Sequence, residues 1–577
     1  MIRKDKVFRK GKYKTHVRVV EGYKNSEGKI KQKTLKSFGY LEDQEDPTAF
    51  MIEVENFNKH YFDDKKSKKD EYNKPFIEGN NNVIYNYGYK FIEAVYNTLN
   101  ISSFFNNVSH RREFSLDNIF KFLVIERILN PDSKRATLQK INTLYGNPFD
   151  FQLHDVYRAL DHYSDLSVNL QKHLNDQVKN IIGRNSEYAY YDVTNYYTSL
   201  DYVDPDDIRQ KYVSKEHQLT PIVQLGLFLD SNGLPISMSL FKGNTADSKT
   251  LQPIMKEIKK EYKLNRLVVV ADKGINSNDN INYIINNNDG YVVSQILKGK
   301  KGKRYNERLF DESKYTYNAS KTFKYQLFEE EYEVITKDNK KEIKKRNVLI
   351  YWKYEDALNT ARKREDKLNK AIKSLGNNAY AIKHSYEEYI KEVHIINETG
   401  QVCDKINRFI DSAKAAEEAK YDGYFCIITS ELDYDYKKIL EVYGGLWRIE
   451  ESFKITKSDL TARPIYLSTE KHINAHFLIC YCALLIVRML QYKIDYKLSV
   501  ERIVKALNSS NCIIEDNDDI KILKNNTYQA YEDQIYLSDE IESLNDFLFI
   551  LEKMNVELPR LKYKEKDFIK YLNNLKY

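Results

Sequence analysis

Five apolar runs between residues 188 and 296 constrain this chain more than any other feature. "YAYYDV" (188–193), "PIVQLGLFLD" (221–230) and "PISMSLF" (235–241) read as three consecutive strands, with "DSNG" as a tight turn between the last two. "DSKTLQPIMKEIKKEY" (247–262) has the spacing of a helix, with Asp247 in N-cap position. "LVVVAD" (267–272) is a short continuous apolar run, the mark of a buried parallel strand. A helix over 277–286 and the strand "YVVSQI" (291–296) follow. The order β-β-β-α-β-α-β predicts an α/β fold, a mixed sheet with helices on its faces.

Around this block the pattern changes several times. Residues 14–40 alternate in two runs about "NSEG", a hairpin signal. "DDKKSKKDEYNKP" (63–75) is polar and reads as a linker. From 76 to about 183 the apolar spacing is helical, as in "LDNIFKFLVIERIL" (116–129) and "LSVNLQKHLNDQVKNII" (166–182). Beyond 297 come the basic run "KGKKGKR" (298–304), strand-like segments to about 352 and a highly charged helix near 355–374. "YFCIITS" (424–430) resumes core-type strand, and "DYDYKKILEVYGGLWRIEESFKITK" (433–457) reads as one helix. The final hundred residues read as mostly helical. The expected domains are a basic N-terminal hairpin region (1–65), a helical DNA-binding domain (76–184), a core in two parts (185–297 and 421–490), an insertion (298–420) and a C-terminal helical region (491–577).

Composition narrows the function classes. At 577 residues several domains are expected, and 42% hydrophobic with 30% charged residues describes a folded soluble protein. The formal charge of +7 is unevenly spread: residues 1–40 carry +10, leaving −3 for the rest. Such a basic block suits a polyanion, with a solvated lysine-rich surface as the alternative. Five scattered cysteines without a CxxC pair argue against a disulfide framework and a structural zinc, and fit a reducing cytoplasm. "MIRKDKVFRKGKYK" lacks the apolar stretch of a signal peptide. "FLICYCALLIVRML" (477–490) is shorter than the ~20 residues that span a bilayer, so it is expected to be a buried helix, and no membrane partner is expected.

Two carboxylates fall where α/β sheets commonly place functional groups. Asp192 is expected at the end of the first strand and Asp272 at the carboxyl end of a parallel strand beside it. For either residue alone, a turn or cap role is an equal alternative. On the helix at 433–457, Tyr443, Glu450 and Lys457 are spaced seven and seven and share one stripe. Glu451 points about 100° away, which predicts a solvent-facing partner for a nearby lysine. Gly444 and Gly445 are poor helix formers, so a close backbone approach or a kink is expected there.

The order of elements, "YYDVTNYY", "VVVADKG" and "YGGLWRIEESFKITK" together resemble the DDE transposases of bacterial insertion sequences. The branch it is similar to carries the signature Tyr-x2-Arg-x3-Glu-x6-Lys, matched here at Tyr443, Glu450 and Lys457. The arginine position holds Leu446, and Arg448 is the candidate substitute. "FKGNTADSKT" (241–250) and "KSDLTARPIYL" (457–467) add to the likeness. The resemblance implies a ribonuclease-H-like core interrupted by an inserted strand-rich domain. It implies Asp192, Asp272 and Glu450 as catalytic ligands of two magnesium ions, for which manganese can stand in. It also implies Tyr443, Arg448, Lys457 and Trp447 as DNA contacts, terminal inverted repeats and target DNA as partners, and a homodimer in the synaptic complex. The site of action would be the bacterial cytoplasm, on the nucleoid when DNA is bound. Metal-dependent DNA cleavage and strand transfer is the expected activity. The rivals are a non-catalytic DNA-binding derivative and a stand-alone nuclease of the same fold.

Other signals carry less. His472 and His476 lack the Glu of HExxH and read as ordinary helix residues. Trp447 is expected in the core, the alternative being a stack on a flipped base. "KGKKGKR" reads as a solvated loop, with DNA contact as the alternative.

Overall fold

The computed structural model describes residues 2–9, 12–24, 30–44, 46–59, 83–108, 114–147, 149–185, 187–199, 207–211, 220–262, 266–375, 387–396, 402–515, 519–523 and 539–577. The polar stretch 63–75 and the "NSEG" turn lie outside them. The chain forms two units, Met1–Val83 and Ile84–Tyr577.

In the first unit, alternating apolar and basic residues build an antiparallel sheet of β1 (Ile2–Arg9), β2 (Lys12–Lys24) and β3 (Ile30–Tyr40). The expected hairpin is thus β2–β3, with β1 added. Val17 and Val19 point to one face and bury against Phe50 and Val54 of a helix over residues 47–59. The period-2 pattern leaves Lys4, Lys6 and Lys12 exposed.

In the second unit, β4 (Ile84–Asn86) precedes a helical segment that includes Leu116–Leu129 and the 30-residue helix Leu153–Ile182. Then come β5 (Tyr188–Tyr197), β6 (Ile222–Leu229), β7 (Pro235–Lys242), β8 (Val268–Ala271) and β9 (Gly290–Ser294). β5, β6 and β7 are antiparallel neighbours, while β8 and β9 continue from β5 in parallel, each crossing through a helix. This order, β7-β6-β5-β8-β9, is a ribonuclease-H-like core.

The sheet has two buried faces. Tyr188, Tyr190, Val268, Val270 and Val292 pack toward the helices Leu116–Leu129, Leu153–Ile182 and Glu470–Lys493. Ala189, Tyr191, Val193, Val269 and Ala271 pack toward Leu251–Tyr262 and Asn278–Asn286. Burial on both faces explains why β8 reads as an unbroken apolar run. Glu470–Lys493 is long and apolar enough to cross a membrane, but its most apolar window is 94% buried inside the fold. It is a core helix.

The segment expected as an insertion differs from expectation. After β10 (Thr316–Tyr317), strands β11 (Phe323–Ile335) and β12 (Lys341–Lys353) do not form a separate sheet. They join the core through β15 (Tyr424–Thr429), giving nine strands in the order β10-β11-β12-β15-β9-β8-β5-β6-β7. Among the described residues of this segment, only β13 (Ile390–Ile396) and β14 (Val402–Ile410) pair apart from it. The region beyond 490 is not wholly helical either. β16 (Asn511–Ile514), β17 (Asp519–Leu523) and β18 (Lys562–Lys564) complete a four-stranded sheet with β4.

Candidate active site

Strand register sets the first two carboxylates side by side. β5 and β8 pair in parallel up to Tyr191 and Ala271, so Asp192 and Asp272 come next on adjacent strands. Asp192 is not at the end of β5 as expected. The strand runs on to Tyr197 against β6, but its β8 neighbour stops, which opens a notch at half-buried Asp192. Ala271 in turn pairs with Val293, so Ser294 flanks Asp272. The Ser294 hydroxyl donates to Asp272 Oδ1 at 2.8 Å, and the Lys273 backbone N–H donates to the same oxygen at 2.5 Å.

The third carboxylate arrives on a broken helix. The single helix expected over 433–457 is two helices, Tyr436–Gly444 and Trp447–Lys454, followed by a π turn at Ile455–Asp459. The two glycines behave differently. A Cβ on Gly445 would lie 2.0 Å from the Tyr190 hydroxyl oxygen, whereas one on Gly444 would meet nothing within 4 Å. Gly445 therefore lets the chain press onto β5 two residues from Asp192. With the helix broken at the glycines and rewound after Lys454, the uniform stripe predicted from Tyr443 to Lys457 does not hold as one helical face.

Asp192, Asp272 and Glu450 nevertheless line one open cleft of about 470 Å³, together with Tyr443, Trp447, Tyr351 and Lys353. Burial pushes the Tyr443 hydroxyl up to about 12; it borders Ser294 and feels the negative charges of Asp272, Glu450 and Asp192. Trp447 is 51% exposed at this cleft, which overturns its expected place in the core.

Two expected DNA contacts lie off the cleft lining. The Lys457 ammonium sits 5.6 Å from the centre of the Tyr196 ring, on the strand face that carries Asp192. Arg448 packs between the rings of Trp447 and Tyr190, at 5.1 and 5.8 Å, and its Cδ lies 3.1 Å from where a Cβ on Gly233 would be. It faces the β6–β7 turn. Leu446, at the signature's arginine position, lines the cleft instead.

Glu451 is not a solvent-facing partner for a lysine. Its Oε2 accepts from Nη1 of fully buried Arg488 at 2.8 Å, and Arg488 also donates to Gln491 Oε1 and the Gly233 carbonyl. Asp247 is not a helix cap: it opens a 3-10 turn whose N-cap is Ala246, and its backbone carbonyl accepts from the Thr250 hydroxyl at 2.6 Å. His472 sits 3.2 Å from Asp161, and buried His476 lies 3.1 Å from the Ala462 carbonyl. The run at 298–304 forms short helical turns, and Lys298 and Lys303 border a separate groove with Lys414 and Tyr421.

Sequence reasoning missed Ser294, Arg488, Tyr351 and Lys353. The serine had a signal, since it ends the strand next to the Asp272 strand. The other three depend on pairings across long stretches of chain.

The donor set fits a hard divalent ion. Three carboxylates supply only oxygen, and magnesium takes few ligands from protein. Among the described residues no three His, Cys, Asp or Glu side chains lie close enough together to hold a metal ion as they stand. Asp272 and Glu450 are exposed, so an ion in the cleft can reach both.

The family model described as "Transposase DDE domain" matches residues 202–486, a span that begins ten residues after Asp192. "IS1634 family transposase, N-terminal domain" matches residues 2–66. No curated protein matches the chain. Among solved structures it is similar to "Mos1 transposase paired-end complex with left transposon end", at 10% identity and a TM-score of 0.14, over 32% of this chain. The chain spans 60% of that structure's length. The strand order alone carries the ribonuclease-H-like fold. With two transposase models together matching more than half of its length, on a core that brings two aspartates and a glutamate to one cleft, the chain belongs to the DDE transposases of insertion sequences.

Proposed function

We propose that the chain cuts DNA at the terminal inverted repeats of its own element and joins the exposed 3′-hydroxyls to target DNA. The observation that carries this is the convergence of Asp192, Asp272 and Glu450 on one open cleft in a chain of this family. The three would together hold two divalent ions. When bound, such ions activate the attacking oxygen and stabilise the leaving oxygen of a phosphodiester displacement.

The remaining residues have separable roles in this reading. Ser294 and the Lys273 amide hold one Asp272 oxygen, which fixes the direction of the other. Tyr443, pushed up to about 12, stays protonated at neutral pH and offers an O–H to a phosphate without adding charge. Lys457, Arg448 and Trp447 would contact DNA beside the cut, as expected of the branch with the Tyr-Arg-Glu-Lys signature. The basic first unit would supply much of the end recognition, and two copies would synapse two ends in the bacterial cytoplasm.

A strand-transfer assay tests the reading. Purified protein, magnesium and a labelled DNA carrying the element's end should give cleaved ends and then joined products. Cleavage without joining would indicate a nuclease, and binding without cleavage a non-catalytic derivative.

A further inference from the structure

The cleft that gathers the three carboxylates has a further contributor, β12. Its register with β11 and β15 places Lys353 opposite Phe323, and Tyr351 opposite both Tyr325 and Phe425. Ser294, beside Asp272, pairs with Ile427 on the same face. One sheet face therefore runs from the carboxylates to Tyr351 and Lys353. Both line the cleft. Lys353 is exposed, and among the described residues no carboxylate pairs with it.

Lys353 also breaks a local rule. It is the N-cap of the 21-residue helix Tyr354–Ser374 and offers that helix no side-chain hydrogen bond. Asp, Asn, Ser and Thr are preferred there, and a cation is disfavoured by the positive end of the helix dipole. Residues that violate a local preference without compensation are expected at functional positions. Its placement is nonetheless firm. Its backbone N–H donates to the Gly423 carbonyl at 3.0 Å, and Gly423, at φ +76°, has no room for a Cβ, which would lie 2.6 Å from the Lys353 carbonyl. Its ammonium lies 5.6 Å from the centre of the Tyr351 ring, itself stacked on Phe425 at 5.2 Å.

We propose that Lys353 grips a backbone phosphate of the DNA strand running through the cleft, so that the strand lies along one sheet face with a cation toward one end and the two aspartates toward the other. This rests on the transposase reading above. It assigns a substrate contact to the strands inserted between Asp272 and Glu450, and gives those strands a reason to extend the catalytic sheet.

The test is single-turnover cleavage at saturating end DNA by wild type, Lys353→Gln and Lys353→Arg, with neutral methylphosphonates replacing one phosphate at a time around the cut. Lys353→Gln should fall by roughly ten- to a hundredfold, as expected for a misplaced strand, and Lys353→Arg should recover most of the rate. In wild type the same loss should appear at one or two neutral phosphates, and those positions should cost Lys353→Gln nothing further. Thermal unfolding of each variant separates a folding defect from a contact defect, and the wild-type phosphate scan holds whether or not Lys353→Gln folds. A wild-type rate in Lys353→Gln, or losses that multiply at every phosphate, would overturn the inference while leaving the transposase reading intact. Absence of cleavage by wild type itself would remove both.

Discussion

Glu450 and Glu451 adjoin in sequence but face different environments. Glu450 is exposed at the cleft, while Glu451 neutralises Arg488, which has no exposed side-chain surface. Helix periodicity distinguishes their directions, and that much was legible. It does not disclose that a buried arginine 37 residues on waits behind one of them. A second buried cation has a pH signature. Lys134 is pushed down to about 7, first by burial and then by the charge of Arg127. Because its folded value lies below the ordinary 10.5, the unfolded chain binds the extra proton between those limits. The cost to stability is therefore full below about pH 7 and fades as pH rises toward 10. Lys134→Met should raise the melting temperature at about pH 6 by at least ~2 °C, and the gain should shrink by about pH 9. A gain independent of pH would assign the effect to packing instead.

At the scale of elements, the paired glycines show how much of the site is backbone shape. Gly445→Ala must push the start of the Glu450 helix off Tyr190, since the added Cβ would lie 2.0 Å from the hydroxyl oxygen and 2.4 Å from Cζ. Gly444→Ala meets open space and should be neutral or gain up to ~1 kcal/mol of helix propensity. Cleavage should fall at least ~10-fold in the first variant and stay near wild type in the second, both followed by single-turnover rates. Equal rates would mean that the close approach does not position Glu450. The sequence disclosed β5 to β9 because continuous apolar runs between turn residues have few other readings. β11 and β12 alternate polar and aromatic residues, so their strand character was visible. Their membership of the core sheet was not, because pairing with β15 is decided by contacts about 80 residues away in sequence. The break after Tyr443 was half legible, since two glycines announce a departure from helix without saying which one touches a neighbour.

For the whole molecule, the division at Val83 has a direct consequence. The first unit has its own small core about Val17, Val19, Phe50 and Val54, and it carries the basic strands. Removing residues 1–83 should leave the melting of the remainder nearly unchanged, weaken end binding and flatten its salt dependence, because fewer counterions are released. An unchanged salt slope would move DNA recognition to the second unit. In the proposed mechanism three carboxylates from distant parts of the chain act as one metal-holding set. The most direct test is magnesium-dependent cleavage of end DNA by Asp192→Asn, Asp272→Asn, Glu450→Gln and Glu451→Gln, with binding to the same DNA measured in parallel. The first three should each lose at least about a thousandfold in cleavage and keep end binding within about threefold, since phosphate contacts come from other residues. Glu451→Gln, assayed well below its melting temperature, should cleave at close to the wild-type rate. Cleavage retained in Glu450→Gln and lost in Glu451→Gln would contradict the account.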